Sequence, residues 1–384
     1  MLRLVTITLG ALVAGCTFYT SCPNSNATGT NCNSPASPSQ TGGAGPASGG
    51  SGNSEGILTG AAPTEPWEDV TSSLIGIQTG FGNVSYLSIK PGENKLIAGL
   101  SEAGLWDSVD GGQTWDALST TPLPNRTSTL LYDPDRSKVF WEAGTYGPGI
   151  FKTKDGGRTF TQLGMIAHNE HLAIDFSDPD RQTLVAAGHE QGRLLWLSRD
   201  GGSTWTDIGP ELPLGASGCT FPIVLDAQTF LITCSQFNAT EAGHGIFRST
   251  DGGESWEQVS AQPAWQPALY ASDGAIYWPT EGGGALLKST DQGLTWAQVF
   301  SGGVRSPAIE LPSSSIVTAT QDYLILSNDQ GKTWRPVSSP LPLTPVGIVY
   351  APDQKAFFIW DSSTKETVPA EVIQRFPFDD SASP

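Results

Sequence analysis

Short hydrophobic runs alternate with turn-forming residues along the chain from about residue 63 onward. The clearest stretch reads HLAIDF (171–176), QTLVAAG (182–188), GRLLWLS (192–198) and TWTDI (204–208), with SDPD at 177–180 after the first run. Runs of this length, bounded by Gly, Pro and Asp, predict β-strands joined by tight turns. The same order of four runs returns at a period of about forty to forty-five residues, which is the length of a four-stranded repeat unit.

Six of the predicted turns share one recipe: Ser or Thr, then Asp two residues later, then Gly, a small hydroxyl residue and an aromatic residue. The short polar side chains can bond nearby backbone amides and hold a turn closed, and the second glycine suits a backbone angle that other residues resist. The aromatic residue begins the next strand and can cover the turn. The six copies are SVDGGQTW (108–115), TKDGGRTF (153–160), SRDGGSTW (198–205), STDGGESW (249–256), STDQGLTW (289–296) and SNDQGKTW (327–334).

These turns resemble the Asp-box, or BNR, repeat, Ser-x-Asp-x-Gly-x-Thr-Trp. The resemblance covers about residues 64–384 and implies a β-propeller similar to those of sialidases, xyloglucanases, the sortilin ectodomain and photosystem II assembly factors. It also implies that the repeated aspartates are structural and not catalytic. They are Asp110, Asp155, Asp200, Asp251, Asp291 and Asp329.

The chain ends give the number of blades. PWEDV (66–70), which contains Trp67, has the pattern of a fourth strand but no turn before it, and the C-terminal region predicts three strands with no turn after them. Pairing PWEDV with AEVIQRF (370–376) would complete a blade and close the ring without open edges. We therefore predict an all-β protein, a seven-bladed β-propeller of four-stranded antiparallel blades closed by an N-terminal strand. The alternative is six blades with stray ends.

The N-terminus has the pattern of an export signal. One arginine, Arg3, precedes an apolar run that is too short to span a bilayer, and the run ends in LVAGC, which resembles a bacterial lipobox. This implies a lipoprotein signal peptide at 1–15 and lipidation of Cys16, and the alternative is an ordinary secretory signal with a chance cysteine. Because Thr17 and not Asp follows, we expect an exported lipoprotein of the outer membrane or cell surface.

Residues 16–62 are almost all Ser, Gly, Pro, Ala, Thr and Asn, and such a segment cannot bury enough surface to order itself. We predict a disordered tether there, followed by the propeller domain with its six Asp boxes at 63–384. Cys22 and Cys32 lie in the tether. Cys219 and Cys234 flank two predicted strands around a turn, so they could form a disulfide or remain two buried thiols.

Composition and charge restrict the partners. The chain has 45 glycines and 28 prolines but only 15% charged residues, which argues against a helical protein. Its formal net charge of −18 disfavours nucleic acid and anionic membrane as direct partners. We therefore expect contact with the membrane through the lipid anchor only.

Strand order determines which loops share a face of the disc. The first-to-second-strand turns and the six repeated turns lie at one end, called here the turn face. The second-to-third-strand turns and the connections between blades lie at the other end, the connection face, where propellers of the resembled families bind ligands. The candidate ligand-binding residues on the connection face are His168, His171, His189, Glu190, His244, Tyr146, Trp265, Arg126, Arg305 and Glu281.

All four histidines of the chain fall on the connection face. With carboxylates they could hold a transition metal or transfer protons, or they could be ordinary polar loop residues; we assign no metal and no cofactor. Trp265 and Tyr146 could stack on sugar rings while arginines bind carboxylates, or they could pack under their loops.

An enzyme is not expected, although an envelope glycoside hydrolase, sialidase-like or xyloglucanase-like, is the alternative. The chain lacks the Arg-Ile-Pro motif of sialidases, and only Arg126 and Arg305 lie in predicted connection-face loops. No matched pair of carboxylates stands out, and glycoside hydrolysis requires two at a set distance. We expect a monomeric, lipid-anchored binding or assembly module for an envelope protein or glycan.

Overall fold

The computed structural model describes residues 57–119, 123–236, 243–362, 365 and 367–382. These residues form seven antiparallel sheets arranged as the blades of a ring, with only short 3₁₀ turns besides. The predicted all-β, seven-bladed propeller is therefore confirmed, and the alternative of six blades is wrong. The predicted signal peptide, Cys16 and the tether up to residue 56 lie outside the described residues.

The first four blades follow one another along the chain, each running from the axis to the rim. Blade 1 contains β3 (Val84–Lys90), β4 (Lys95–Leu100), β5 (Gly104–Ser108) and β6 (Asp116–Ala117). Blade 2 contains β7 (Arg126–Tyr132), β8 (Phe140–Thr145), β9 (Ile150–Thr153) and β10 (Thr161–Gln162). Blade 3 contains β11 (Asn169–Ile174), β12 (Leu184–Gly188), β13 (Leu195–Ser198) and β14 (Thr206–Asp207). Blade 4 contains β15 (Cys219–Val224), β16 (Phe230–Cys234), β17 (Gly245–Ser249) and β18 (Glu257–Ser260).

The last three blades complete the ring, and two of them take a strand from the N-terminal region. Blade 5 contains β19 (Leu269–Tyr270), β20 (Ile276–Pro279), β21 (Leu286–Ser289) and β22 (Ala297–Phe300). Blade 6 contains β23 (Ile309–Glu310), β24 (Ile316–Ala319), β25 (Leu324–Ser327), β26 (Thr333–Pro336) and β1 (Ile57–Leu58). Blade 7 contains β27 (Gly347–Ala351), β28 (Ala356–Trp360), β29 (Ile373–Pro377) and β2 (Glu68–Asp69). Short 3₁₀ turns occupy Ser72–Leu74, Gly209–Glu211, Glu281–Gly283, Pro352–Gln354 and Asp380–Ala382.

The ring closes as predicted, through an N-terminal strand in the last blade. In β2, Glu68 and Asp69 pair antiparallel with Arg375 and Gln374 of β29. The Trp67 ring packs against Phe376 with ring centroids 5.0 Å apart. Closure joins the two chain ends and covers the outer edge of blade 7, because a three-stranded blade would expose unpaired backbone groups.

A second N-terminal strand was not predicted. β1 pairs in parallel with β26 on the outer edge of blade 6, and the Thr59 amide donates to the Trp334 carbonyl at 2.8 Å. Folded structure therefore begins within the segment assigned to the tether, before the predicted boundary at residue 63. Ile57 and Leu58 are only two apolar residues in a polar stretch, so they show no hydrophobic period. The open outer edge of blade 6 nevertheless pairs with them.

The six repeated turns share one hydrogen-bond pattern. In SRDGGSTW, the Ser198 hydroxyl donates to Asp200 Oδ1 at 2.8 Å and accepts the Gly202 amide at 2.9 Å, while Asp200 accepts the Thr204 amide and hydroxyl at 2.8 and 2.6 Å. The other five copies repeat these contacts. The Thr204 side-chain hydrogen bond is the first cause that lowers the pKa of Asp200, to about 2. Each aspartate therefore holds its own turn closed as an ionised hydrogen-bond acceptor.

Hydrophobic clusters fill the space between neighbouring blades. One combines Val84 and Leu96 of blade 1 with Phe358 and Ile373 of blade 7, and similar clusters join the other neighbours. Cys219 and Cys234 face each other across β15 and β16, form a disulfide and are fully buried. No helix within the described ranges is long and apolar enough to cross a bilayer.

Candidate functional site

The predicted binding residues all lie at the connection-face end of their blades. They come from blade-to-blade connections, from second-to-third-strand turns, or from the first residues of the innermost strands β7 and β11. The structure brings together those of blades 2 and 3 and separates those of blades 4 to 6. The group that is brought together is called here the histidine cluster, and it contains Tyr146, His168, His189 and Glu190.

Three rings of the histidine cluster contact one another. Tyr146 lies 5.4 Å from both His168 and His189 between ring centroids, and the two histidines are 5.0 Å apart. The Tyr146 amide donates to His168 Nδ1 at 3.1 Å, and the Tyr146 hydroxyl lies 3.3 Å from His189 Nε2. The His189 amide donates to the His168 carbonyl at 2.9 Å. Backbone and side-chain bonds together fix this geometry.

The backbone of the histidine cluster is strained. Tyr146, His168 and Glu190 have φ angles of 61°, 58° and 55°, in the left-handed region that favours glycine. A non-glycine residue there costs of order 1–3 kcal/mol and persists only where its surroundings over-determine it. Left-handed non-glycine residues also occur elsewhere among the described residues, as at Arg181 and Gln330, but here three of them meet in one hydrogen-bonded cluster, which makes its geometry well defined.

Glu170 is the functional candidate that the sequence analysis missed. Its carboxylate lies 3.3 Å from His189 Nδ1 and accepts the Thr220 hydroxyl at 3.4 Å. Burial alone would raise the pKa of Glu170, but the contact with His189 and the nearby positive groups, including Arg126, hold it below its usual range. Glu170 stands inside the HNEH motif, between two histidines that were selected, so its position carried the signal.

His171 is a neutral imidazole at physiological pH. Burial lowers its pKa to about 4, because the charged ring would lose its hydration. Since the Thr220 hydroxyl donates to Glu170, its oxygen accepts from His171 Nδ1, which lies 3.0 Å away. The ring also packs at 4.0 Å on Phe221, and Phe221 packs at 5.7 Å on Trp265, so a continuous aromatic row leads from blade 3 to blade 5.

The histidine cluster is a poor metal site. Ligand atoms of His168, His189 and Glu190 lie within 4.8 Å of one another, and in the described part of the chain this is the one such group of three. However, His168 Nδ1 already accepts the Tyr146 amide, so the hydrogen of the neutral ring is on Nε2. A metal-binding imidazole needs the opposite arrangement, with a lone pair toward the ion and an N–H toward an acceptor. His168 therefore presents a hydrogen-bond donor to the solvent.

The remaining predicted residues have other partners. Glu281 accepts the Ser235 hydroxyl and the Gln236 amide, and Arg305 donates to Gln321 at 3.4 Å. The His244 carbonyl accepts the Gln258 side chain at 2.6 Å. Arg126 is close enough to Tyr146 and Glu170 to interact with their charges. Of these residues, Arg126 is therefore the one that belongs with the histidine cluster.

Five exposed apolar side chains lie in loops of the same face. Phe81, Tyr146 and Trp265 are each more than two-fifths exposed, and Met165 and Leu214, on two blade-to-blade connections, are 93% and 83% exposed. The sequence analysis did not select Met165 or Leu214, because single apolar residues in loops carry no pattern. These five exposed side chains, called here the apolar rim, lie in loops at the connection-face end of their blades, where they are available for contact with a partner.

A cavity of about 590 Å³ lies on the propeller axis. It is lined by the innermost strands of blades 1 to 5 and extends to Ser177 and Leu225, which follow β11 and β15 at the turn-face end. Its walls are mostly apolar, and none of the lining residues is a carboxylate. The cavity therefore offers volume but no acid–base pair.

Several solved structures resemble this fold. The GH74 xyloglucanase of Xanthomonas campestris aligns with TM-score 0.54 and 20% identity over 78% of this chain and 52% of its own. YCF48 bound to D1 peptide aligns with TM-score 0.56 and 17% identity over 84% of this chain and 99% of its own. PorZ, a surface component of the type-IX secretion system of Porphyromonas gingivalis, aligns with TM-score 0.54 and 14% identity over 79% and 48%.

At these identities the resemblance shows the β-propeller fold alone. The chain spans about half the length of two GH74 structures that it matches. No family model and no curated protein matches the sequence. Function must therefore be argued from the residues of the connection face.

Proposed function

We propose that this protein is a binding or assembly module whose connection face takes a protein or glycan ligand of the cell envelope. The observation that carries the proposal is the histidine cluster, strained and held by its own hydrogen bonds, on the face that also carries the apolar rim. Aromatic anchors around a preorganised polar centre are typical of binding surfaces. The axial cavity, without a carboxylate in its lining, gives less support to hydrolysis.

A protein ligand accounts for the rim better than a sugar. Aromatic rings such as Trp265 serve for either ligand, whereas Met165 and Leu214 offer aliphatic contacts of the kind that protein interfaces bury. We propose further that the chain is exported, carries a lipid on Cys16, and meets the membrane through that lipid. Structural neighbours at the bacterial surface, such as PorZ, agree with export but do not define the ligand. In this proposal the repeated aspartates stabilise turns, and the protein acts as a monomer without a cofactor.

The proposal can be tested with purified full-length chain and fractionated envelope proteins and glycans. Met165→Glu and Leu214→Glu place charges on the connection face, while Val109→Glu and Leu294→Glu place them on two exposed positions of the turn face. We expect the first pair to weaken ligand binding at least tenfold and the second pair to leave it unchanged. Equal loss from both pairs, or loss only from the turn-face pair, would overturn the proposal.

The second candidate, an envelope glycoside hydrolase, rests on one observation. Glu170 and Glu190 both contact His189, at 3.3 and 3.8 Å, so two carboxylates do converge on this face. A panel of chromogenic glycosides tests it directly. Turnover that disappears in Glu170→Gln or Glu190→Gln would replace the binding proposal with the enzymatic one.

A further inference from the structure

The axial cavity has the size and the lining of a small-molecule pocket. Its volume of about 590 Å³ lies within the range of about 300–1,000 Å³ that is typical of such pockets. Aliphatic, proline and aromatic side chains make up most of its walls. Water finds few hydrogen-bond partners against walls of this kind, and apolar cavities in proteins stay dry or take up an apolar molecule. The cavity is therefore better suited to an apolar molecule than to solvent.

The cavity opens toward the turn face. Ser177 and Tyr270 are the exposed residues of its lining, and both lie at the turn-face ends of their blades. At the opposite end the His171 and Phe221 rings pack on each other at 4.0 Å, and Phe221 is 6% exposed. A molecule would therefore enter from the side opposite to the histidine cluster.

The walls of the cavity carry no formal charge at physiological pH. None of the described lining residues is Asp, Glu, Lys or Arg, and burial keeps the pKa of His171 low enough for a neutral ring. An ion that entered would lose its hydration without gaining a counter-charge. The lining therefore favours a neutral ligand.

Two polar groups interrupt the apolar walls. His171 Nδ1 donates to the Thr220 hydroxyl at 3.0 Å, so the Nε2 atom of this neutral ring is an acceptor, and no hydrogen bond among the described residues uses it. The Thr129 side chain is 7% exposed, and its hydroxyl is buried without a partner. Since a polar group shut away from water without a partner is costly, these two groups are where a bound molecule would gain hydrogen bonds.

We propose that the axial cavity binds a neutral, largely apolar small molecule, which enters from the turn face and donates a hydrogen bond to His171 Nε2. Aromatic or alicyclic molecules with one hydroxyl or N–H group belong to this class. The cavity lies apart from the apolar rim and the histidine cluster, so the inference goes beyond the proposed binding or assembly function and does not rest on it.

Three related fluorescent probes test the ligand chemistry on the unmodified full-length chain. N-phenyl-1-naphthylamine is neutral and has one N–H donor, its N-methyl derivative lacks the donor, and 8-anilino-1-naphthalenesulfonate adds a negative charge. The emission of all three rises in apolar surroundings, so titration gives each dissociation constant.

We expect the neutral amine to bind one to one, with a dissociation constant of about 100 µM or tighter. The N-methyl derivative should bind about fivefold more weakly, because it loses one hydrogen bond, and the sulfonate at least tenfold more weakly, because its charge finds no partner. No saturable binding of the amine, or equal binding of the amine and the sulfonate, would overturn the proposal.

Two variants of blade 5 test the location. Ala268 lines the cavity, whereas Ala297 is exposed on β22, the outermost strand of the same blade. Ala268→Phe should fill part of the cavity and weaken binding of the neutral amine at least tenfold, and Ala297→Phe should leave it unchanged. Circular dichroism checks that both variants fold. Equal affinities in the two folded variants would contradict the proposal.

His171→Phe tests the polar contact, because phenylalanine keeps a ring at this position but offers no acceptor. It should weaken binding of the neutral amine about fivefold and leave binding of the N-methyl derivative unchanged. Equal losses for the two probes would show that the N–H group does not bond to His171, which would contradict the proposed contact.

The apolar rim is the other surface that an apolar probe would contact. Met165→Glu and Leu214→Glu add charge to the rim and leave the cavity lining intact, so the affinity of the neutral amine should not change even where the envelope ligand is lost. Loss of amine binding in these two variants, with unchanged binding in Ala268→Phe, would assign the probe to the rim and overturn the cavity proposal. The two proposals therefore fail separately.

Discussion

The two faces of this propeller are built from different kinds of turn. On the turn face, six turns repeat one set of hydrogen bonds, and every serine or threonine, aspartate and glycine of the set has a partner. On the connection face the loops share no sequence motif, and rings from neighbouring blades meet, as those of Tyr146, His168 and His189 do. The repeated turns are held by contacts within each turn, whereas the histidine cluster is held by contacts between blades 2 and 3.

The comparison of the two faces shows that residues with the strongest sequence pattern need not be the functional ones. The most repetitive residues of the chain, including the conspicuous aspartates, satisfy one another locally. The residues of the histidine cluster occur once each and belong to no repeated motif. Variants that change one face and leave the other intact can therefore test whether the two faces differ in this way.

The largest effect is expected on the turn face, from Gly202→Ala. Gly202 has a φ of +95°, and an added Cβ would lie 2.8 Å from Leu163 Cδ1, so the variant combines strain with a clash. We expect a loss of about 2–4 kcal/mol in unfolding free energy, measured by denaturant titration. Gly192→Ala on the connection face is the control: its φ is +67° with no atom within 4 Å, so about 1 kcal/mol should be lost. Equal losses would contradict the account.

The next largest effect is expected from His171 of the connection face, on the unfolding free energy in mild acid. Burial lowers the pKa of His171 from 6.5 to about 4, so between these values the unfolded chain binds the proton and the folded chain does not. Stability from this residue is present above pH 6.5 and is lost as the pH falls toward 4. His171→Gln should flatten the dependence of unfolding free energy on pH in that window, by an amount on the order of 1–2 kcal/mol. Curves that stay parallel from pH 4 to 6.5 would show that His171 is not buried as a neutral ring.

A smaller effect of opposite sign is expected at the strained cluster. Glu190 has a φ of 55° and an exposed side chain, so Glu190→Gly should raise the unfolding free energy by about 0.5–1 kcal/mol while it weakens ligand binding. Gln191→Gly, one residue later in the same turn, removes a side chain without relieving left-handed strain. It should lower stability slightly. If Glu190→Gly and Gln191→Gly change the unfolding free energy in the same direction and by the same amount, the left-handed backbone at Glu190 is not strained.

The smallest effect is expected from the repeated aspartates in acid. Hydrogen bonds from Thr204 and Ser198 lower the pKa of Asp200 to about 2, below its ordinary value of 3.8. A lowered pKa of an acid means that its contribution is present above pH 3.8 and disappears as the pH falls toward 2. Asp200→Asn removes one of the six repeated aspartates, so it should reduce the fall of melting temperature with acid by about one sixth. Thermal melts between pH 2 and 5 measure this fall. An unchanged acid limb would argue against the turn-holding role.

The sequence predicted the seven-bladed fold and part of the site, for physical reasons. Strands and repeated turns arise from contacts between residues close in sequence, so period and turn chemistry were sufficient to count seven blades and to pair PWEDV with AEVIQRF. Strand order also assigned the histidines to one face. Sequence alone could not show that His168 and Tyr146 meet or that Glu170 lies beside His189, because the first contact joins two blades and the second joins a strand of blade 3 to a loop of the same blade. The two-residue strand β1 was missed because it has no period.

The most direct test of the central claim is photo-crosslinking in living cells. A benzophenone amino acid replaces Met165 on the connection face or Val109 on the turn face, both of which are highly exposed. The account predicts a discrete crosslinked partner from position 165 that disappears when Trp265→Ala is added, and no discrete partner from position 109. A partner captured from position 109 and not from position 165 would contradict it.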